Sequence, residues 1–141
     1  MELTVEHLKE FKRYLDVWKR YKKEVKLKDF TENIDKQNMV LHAMFVAIQS
    51  AIDLANDMIV SRNLEEPETY RETFEILGKN KIIPSNLSSR LASLAGFRNV
   101  IAHVYFRLDA KRAYKVFQHG YITLGEFEKF IERIVKKSKE K

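Results

Sequence analysis

Within Arg98-Asn99-Val100-Ile101-Ala102-His103-Val104-Tyr105 a guanidinium, an imidazole and a phenol fall inside eight consecutive residues. Histidine moves protons near neutral pH, and arginine holds phosphate in a fixed, always charged fork. Cleavage of RNA by transesterification needs those two abilities. It takes a base for the 2′-hydroxyl, an acid for the leaving 5′-oxygen and positive charge on the phosphorane. Neither role requires a metal, and the rest of the sequence supplies no metal-ligand pattern. His7, His42, His103 and His119 are nowhere paired at helical spacing, and no carboxylates cluster as two-metal sites need. A glycine-rich phosphate loop and a serine nucleophile elbow are absent too. The reading therefore expects no metal and no cofactor.

The spacing within the motif constrains how it could work. With Leu87 to Tyr105 as one helix and Leu87 at zero, Leu91, Leu94, Ile101 and Ala102 fall within about 60° of it. Arg98 and Tyr105, at about 20° and 0°, lie inside this apolar stripe. An arginine there must meet an anionic partner or reach outward along its stem. Ser88, Ala92, Ala95, Gly96, Asn99 and His103 occupy a different arc, about 80° to 180°, whose small residues would let another backbone or a polymer approach. Arg98 and His103, about 140° apart, cannot both point at one phosphate unless the helix distorts near its end, the long side chains bend around, or a second subunit completes the site. A symmetric homodimer with two such helices side by side would form a composite cleft. The plainer account, a structural arginine and histidine, predicts that Arg98→Ala harms stability as much as activity.

The elements around the motif read as helices. Val5, Leu8, Phe11, Leu15, Trp18 and Val25 recur at three- and four-residue steps from about Thr4 to Leu27. A second helix, starting near Thr31 or Asp35 and running to about Val60, is carried by Ile34, Leu41, Phe45, Ile48, Ile52, Ala55 and Ile59. Beside its stripe lie Asn38, His42, Gln49, Asp53 and Asn56, a polar set without lysine or arginine that lines either a cleft or an interface, or is satisfied by loops and water. Thr69-Tyr70-Arg71-Glu72 matches a capping box and opens a short helix ending at Gly78. Ile82 and Ile83 tuck inward, and Pro84 or Ser85 starts the motif helix. Asp109 caps a brief helix through Phe117 closed by Gly120, and Thr123-Leu124-Gly125-Glu126 caps a final helix carrying Leu124, Phe127, Phe130 or Ile131, and Ile134. Five or six such helices make an all-α, antiparallel bundle, with residues 1–141 as one domain.

Composition agrees with that class. The chain is 45% hydrophobic and 33% charged with four Gly and two Pro, which favours long helices and few turns. Its net charge of +6 suits a polyanion such as RNA, but equally a solvated Lys/Glu surface. The basic cluster Lys19, Arg20, Lys22 and Lys23 around Tyr21 reads as a solvated helix end rather than a phosphate site. The absence of cysteine excludes disulfides, thiolate catalysis and cysteine-bound zinc. The N-terminus lacks signal-peptide features, and Gln49, Asp53 and Asp57 break the longest apolar run, so a soluble, cytoplasmic protein with no membrane association is expected.

Arg98-x4-His103-x-Tyr105 resembles the Rx4-6H motif, in its RxxxxHxY form, of HEPN-domain ribonucleases of the HepT type. Ala47-Ile48-Gln49-Ser50-Ala51-Ile52-Asp53-Leu54-Ala55 is similar to the family's central helix. Pro67-Glu68-Thr69-Tyr70 with Phe74 and Leu77, and Gly96-Phe97-Arg98-Asn99, resemble two further segments. The resemblance implies a helical HEPN fold, a homodimer with the motif at its cleft and metal-independent endoribonuclease activity. It assigns phosphate binding to Arg98, proton transfer to His103 and support to Asn99 and Asp53. It also implies an MNT-type nucleotidyltransferase antitoxin as partner, silencing the toxin by adenylylation of Tyr105. The rival expectation is a non-catalytic HEPN protein that binds RNA or nucleotide, or serves as a partner scaffold.

Overall fold

The computed structural model describes residues 2–103 and 108–140. Among them run six helices: α1 (Val5–Glu24), α2 (Leu27–Glu32), α3 (Ile34–Ser61), α4 (Tyr70–Lys79), α5 (Ser85–His103) and α6 (Ala110–Glu140). The all-α expectation holds. α3 is the central helix, with α1, α2, α4, α5 and α6 packed around it. By length and composition α3 could cross a membrane, so the apolar run is less broken than its polar residues suggest. Packing accounts for it, because Val40, Met44, Ala47, Ile48, Leu54, Ala55 and Met58 are fully enclosed in the bundle core.

Several ends follow local chemistry. Asn33 caps α3 by accepting a hydrogen bond from the Lys36 N–H (3.1 Å), Thr69 caps α4 through the Glu72 N–H (3.1 Å), and Asp109 accepts from the Arg112 N–H (3.2 Å). α3 and α4 end with Asn63 (φ 53°) and Lys81 (φ 59°) in the left-handed region. There the Leu64 and Ile82 N–H groups reach back to the Ile59 and Leu77 carbonyls, both at 3.0 Å.

Three sequence expectations fail for tertiary reasons. α4 ends one residue past Gly78, close to where it was expected, but the glycine is not its left-handed cap: the positive φ falls on Lys81, and a Cβ on Gly78 would come within 2.4 Å of Ser88 Oγ. Gly120 does not close a brief helix either, since α6 runs through it unbroken to Glu140. A Cβ there would stand 2.9 Å from the Trp18 ring and 3.0 Å from Leu94, so this glycine makes room for the indole. Trp18 is fully buried and donates its indole N–H to the Phe117 carbonyl (2.8 Å). Third, Thr123 and Glu126 are no capping box. Both point at Arg90 of α5, whose guanidinium bonds Thr123 Oγ1 (3.3 Å) and pairs with Glu126. The helix α2 was not expected; its N-terminus is set by Asp29 Oδ2 accepting from the Lys26 N–H (3.3 Å) and its packing by the fully buried Phe30.

The small-residue face of α5 also finds its partner within the chain. Ser88 meets Gly78 and donates to the Phe74 carbonyl (2.8 Å), Ala92 and Ala95 are buried, and Gly96 lies under Arg71. α4 covers that face, so of the arc read from the sequence only Asn99 and His103, at its C-terminal end, remain exposed.

Candidate active site

α5 brings the motif to the edge of α3 and the first turn of α4. Arg98 is half-buried, and its Nε donates to Gln49 Oε1 of α3 at 2.8 Å. Nη1 donates to Asn99 Oδ1 at 3.1 Å. The guanidinium carbon lies 4.7 Å from the ring centroids of both Phe45 and Tyr70, so the planar group is flanked by two aromatic rings. Each such contact is worth roughly 0.5–2 kcal/mol and holds the fork without neutralising it. Gln49 is itself oriented, donating from Nε2 to Asp53 Oδ1 at 3.0 Å, one helical turn further along α3. The result is a chain of groups, Asp53 to Gln49 to Arg98 to Asn99, ending on a cation.

Of the two expectations for Arg98, an anionic partner or an outward reach along its stem, the first is not met among the described residues, where its hydrogen-bond partners are two neutral amides. An arginine has five N–H donors, two are engaged, and three therefore remain for a ligand. The long side chain also bends around the helix, one of the routes that the spacing leaves open. Asn99 falls on a different arc of α5, yet Arg98 reaches across to it, so these two are brought together.

A cavity of about 580 Å³ is lined by Gln49, Asp53, Asn56, Glu68, Tyr70 and Asn99, among others, so three of the groups that hold Arg98, rather than Arg98 itself, form its wall. Asp53 therefore stands in the cleft, half-buried on the polar stripe of α3. The same stripe supplies Asn38 and His42 to a second hollow against Ile101 and Ala102, with His42 edge-on to Tyr14 at 5.8 Å. The cleft reading of this polar set thus accounts for Gln49, Asp53 and Asn56.

His103 is the last residue of α5, exposed, and its side chain makes no hydrogen bond among the described residues. Tyr105 lies outside the described residues. Sequence reasoning did not single out Gln49, Phe45 or Tyr70 as neighbours of Arg98. The signal for Gln49 was available in its spacing four residues before Asp53; Phe45 and Tyr70 looked like ordinary stripe and cap residues. No group of three or more His, Cys, Asp or Glu among the described residues is arranged to hold a metal ion. His7 is used otherwise: its Nδ1 lies 2.9 Å from Asp57 Oδ2, which also accepts from the Thr4 N–H (2.9 Å) and so pins α1 to α3.

Fold and site together define an all-helical bundle in which an arginine without a carboxylate partner among the described residues is held by groups that line a polar cleft. This chain belongs to the ribonuclease HepT-like family, whose family model matches residues 11–134. It is 30% identical over 105 residues to the mRNA nuclease HepT of Shewanella oneidensis, covering 74% of this chain and 77% of that protein. It is 31% identical over 124 residues to the tRNA nuclease HepT of Aphanizomenon flos-aquae, covering 86% and 80%. Among solved structures, the fold is similar to that of a toxin-antitoxin crystal structure with AMP-PNP (TM-score 0.82, 22% identity, 92% of this chain and 96% of that one). It is also similar to a tri-AMPylated Shewanella oneidensis HEPN toxin in complex with MNT antitoxin (TM-score 0.72, 24% identity, 87% and 96%).

Proposed function

We propose that this protein is the ribonuclease toxin of a toxin-antitoxin pair, a metal-independent endoribonuclease acting in the cytoplasm as a homodimer. The observation that carries the proposal is the state of Arg98. It is held between two rings and two neutral amides, with donors left over, and three of the groups that hold it, Gln49, Tyr70 and Asn99, line a polar cleft. A structural arginine would be neutralised by a carboxylate. One held ready by neutral groups keeps its full charge for a phosphate and needs little reorganisation when negative charge develops.

In the dimer, the α5 helices of two protomers lie side by side, so that Arg98 and His103 act on one phosphodiester despite their angular separation. A His103 imidazole removes the proton from the 2′-hydroxyl, the 2′-oxygen forms its bond to phosphorus, and the bond to the 5′-oxygen breaks. That oxygen leaves with a proton from the His103 of the second protomer, giving a 2′,3′-cyclic phosphate and a 5′-hydroxyl. Arg98 stabilises the phosphorane oxygens, Asn99 and Asp53 fix Arg98 directly and through Gln49, and no step calls for a metal. The antitoxin is an MNT-type nucleotidyltransferase that silences the toxin by transferring AMP from ATP to the Tyr105 hydroxyl, the bond to the tyrosine oxygen forming as pyrophosphate leaves. The added phosphodiester then competes with RNA for Arg98.

Incubating the purified, unmodified dimer with bulk RNA in EDTA tests the proposal. The expected result is cleavage with 2′,3′-cyclic phosphate ends, reduced at least about 10²-fold by His103→Ala, the scale of general acid-base contributions. Binding without cleavage by the wild-type protein overturns it in favour of a non-catalytic RNA-binding HEPN protein.

A further inference from the structure

Adjacent residues at the start of α4 straddle α5. Tyr70 lies over Arg98, while Arg71, next in the chain, lies over Gly96 on another side of the helix. There a hollow of about 370 Å³ has Arg71 and Arg112 among its walls, with Gly96, Phe97, Val100 and Val116. These two arginines differ from the other described ones. Arg13, Arg20 and Arg133 lie over aromatic rings, Arg62 pairs with Glu2, Arg90 with Glu126, and Arg98 is caged as described. Among the described residues, the side chains of Arg71 and Arg112 make no ion pair, hydrogen bond or ring contact. They belong to different helices, α4 and α6, and the fold brings them to one hollow.

Gly96 is part of the arrangement. A Cβ at this position would stand 2.6 Å from Arg71 Nη1 and 3.6 Å from its Cδ, so the absence of a side chain lets the guanidinium lie against α5. The α5 residues of the hollow span a wide arc. With Leu87 at zero, Gly96, Val100, Ser93, Phe97 and Leu94 fall at about 180°, 220°, 240°, 280° and 340°, so one edge adjoins His103 at about 160° and the other approaches Arg98 at about 20°. Val100 is one turn, about 4.5 Å of rise, before His103.

We propose that Arg71 and Arg112 form a second phosphate clamp, which grips the RNA strand beside the linkage that is cut while the hollow's apolar walls take the adjoining sugar or base. The inference rests on the ribonuclease reading above and adds a strand-binding subsite to it. Two guanidinium forks supply the charge that a nucleotide's phosphate needs, and Leu94, Phe97, Val100 and Val116 supply apolar surface for its other half. The hollow's volume is in the range of ordinary small-ligand sites.

The test uses a single-stranded, fully 2′-O-methylated RNA, which cannot be cleaved, with binding followed by fluorescence anisotropy over a salt series. Each phosphate contact to a single strand contributes about 0.7 to the slope of log K against log salt, so the double variant Arg71→Ala/Arg112→Ala should lose about 1.4 of slope. Arg71→Lys/Arg112→Lys should keep most of it, since charge is retained. Gly96→Ala displaces only the flexible end of Arg71, so it should fold normally and lose part of the slope. A double variant that is folded by circular dichroism and shows the wild-type slope overturns the clamp. If wild type still degrades unmodified RNA in that case, the ribonuclease reading stands and only the clamp falls. A wild-type protein that neither binds nor degrades RNA overturns both. An unchanged RNA slope with lost binding to the nucleotidyltransferase overturns the clamp by assigning the hollow to a protein partner.

Discussion

Arg90 and Arg98 stand about two turns apart on α5 and are treated in opposite ways. Arg90 is compensated by its surroundings: Nε donates to Asn86 Oδ1 (2.9 Å), Nη1 to Thr123 Oγ1 (3.3 Å), and Nη2 pairs with the Glu126 carboxylate. Its charge is spent tying α5 to α6. Arg98 has comparable geometric restraint from Gln49, Asn99 and two rings, but no carboxylate among them. Restraint and neutralisation are therefore separable. An arginine kept rigid by neutral groups is prepared for a ligand, and one kept rigid by a carboxylate serves the fold.

The largest test of that contrast is truncation of each arginine in turn. Arg98→Ala is expected to lower RNA cleavage by about 10²–10³-fold, the usual loss when a charge-stabilising donor is removed from a reaction centre. Arg90→Ala should leave cleavage within a few-fold of wild type and act on thermal stability instead. Rates on a defined RNA, with melting curves of both variants, check the pair. Equal losses of stability and activity at Arg98 would return it to a structural role.

A smaller effect comes from converting one environment into the other. Asn99→Asp keeps the shape of the side chain but places a carboxylate against Arg98 Nη1. Cleavage should fall about tenfold, equivalent to about 1.4 kcal/mol in the barrier, without loss of folded protein. Cleavage at the wild-type rate would show that compensation of the Arg98 charge is immaterial.

The smallest effect is the converse change. The hydrogen bond from Arg90 holds the Glu126 carboxyl below its ordinary range. A carboxylate whose folded-state pKa is depressed contributes stability that is present above its unfolded pKa and disappears as pH falls through the folded one. Glu126→Gln should therefore lower the melting temperature slightly at pH 7, the difference vanishing as pH drops through and below the carboxylate range, with no gain in RNA cleavage. A difference that persists unchanged into strong acid would assign it to packing rather than to the ion pair.

Much of this organisation was legible in the residues. Helical periodicity, the caps at Thr69 and Asp109, and the polar stripe carrying Gln49 and Asp53 all depend on neighbours within a turn or two, so spacing alone exposes them. The same rules misread Gly78, Gly120 and Thr123-x-x-Glu126, because those residues answer to Ser88, Trp18 and Arg90, each distant in sequence. A glycine that ends a helix and a glycine that admits an indole look identical in a string of letters. α2 escaped notice because its few residues show no periodicity before Phe30 is seen buried.

The sequence by itself determined that the chain forms helices, which faces they bury, and that an arginine and a histidine stand five residues apart on one of them. Those properties arise from local backbone and side-chain periodicity. Only the tertiary structure decided that α4 covers the small face of α5, that Arg98 is held by neutral groups from three helices while Arg90 meets a carboxylate, and that Arg71 and Arg112 share one hollow. Charge compensation depends on which side chains lie within a few ångströms, and packing between helices, which spacing along the chain does not encode, sets those distances.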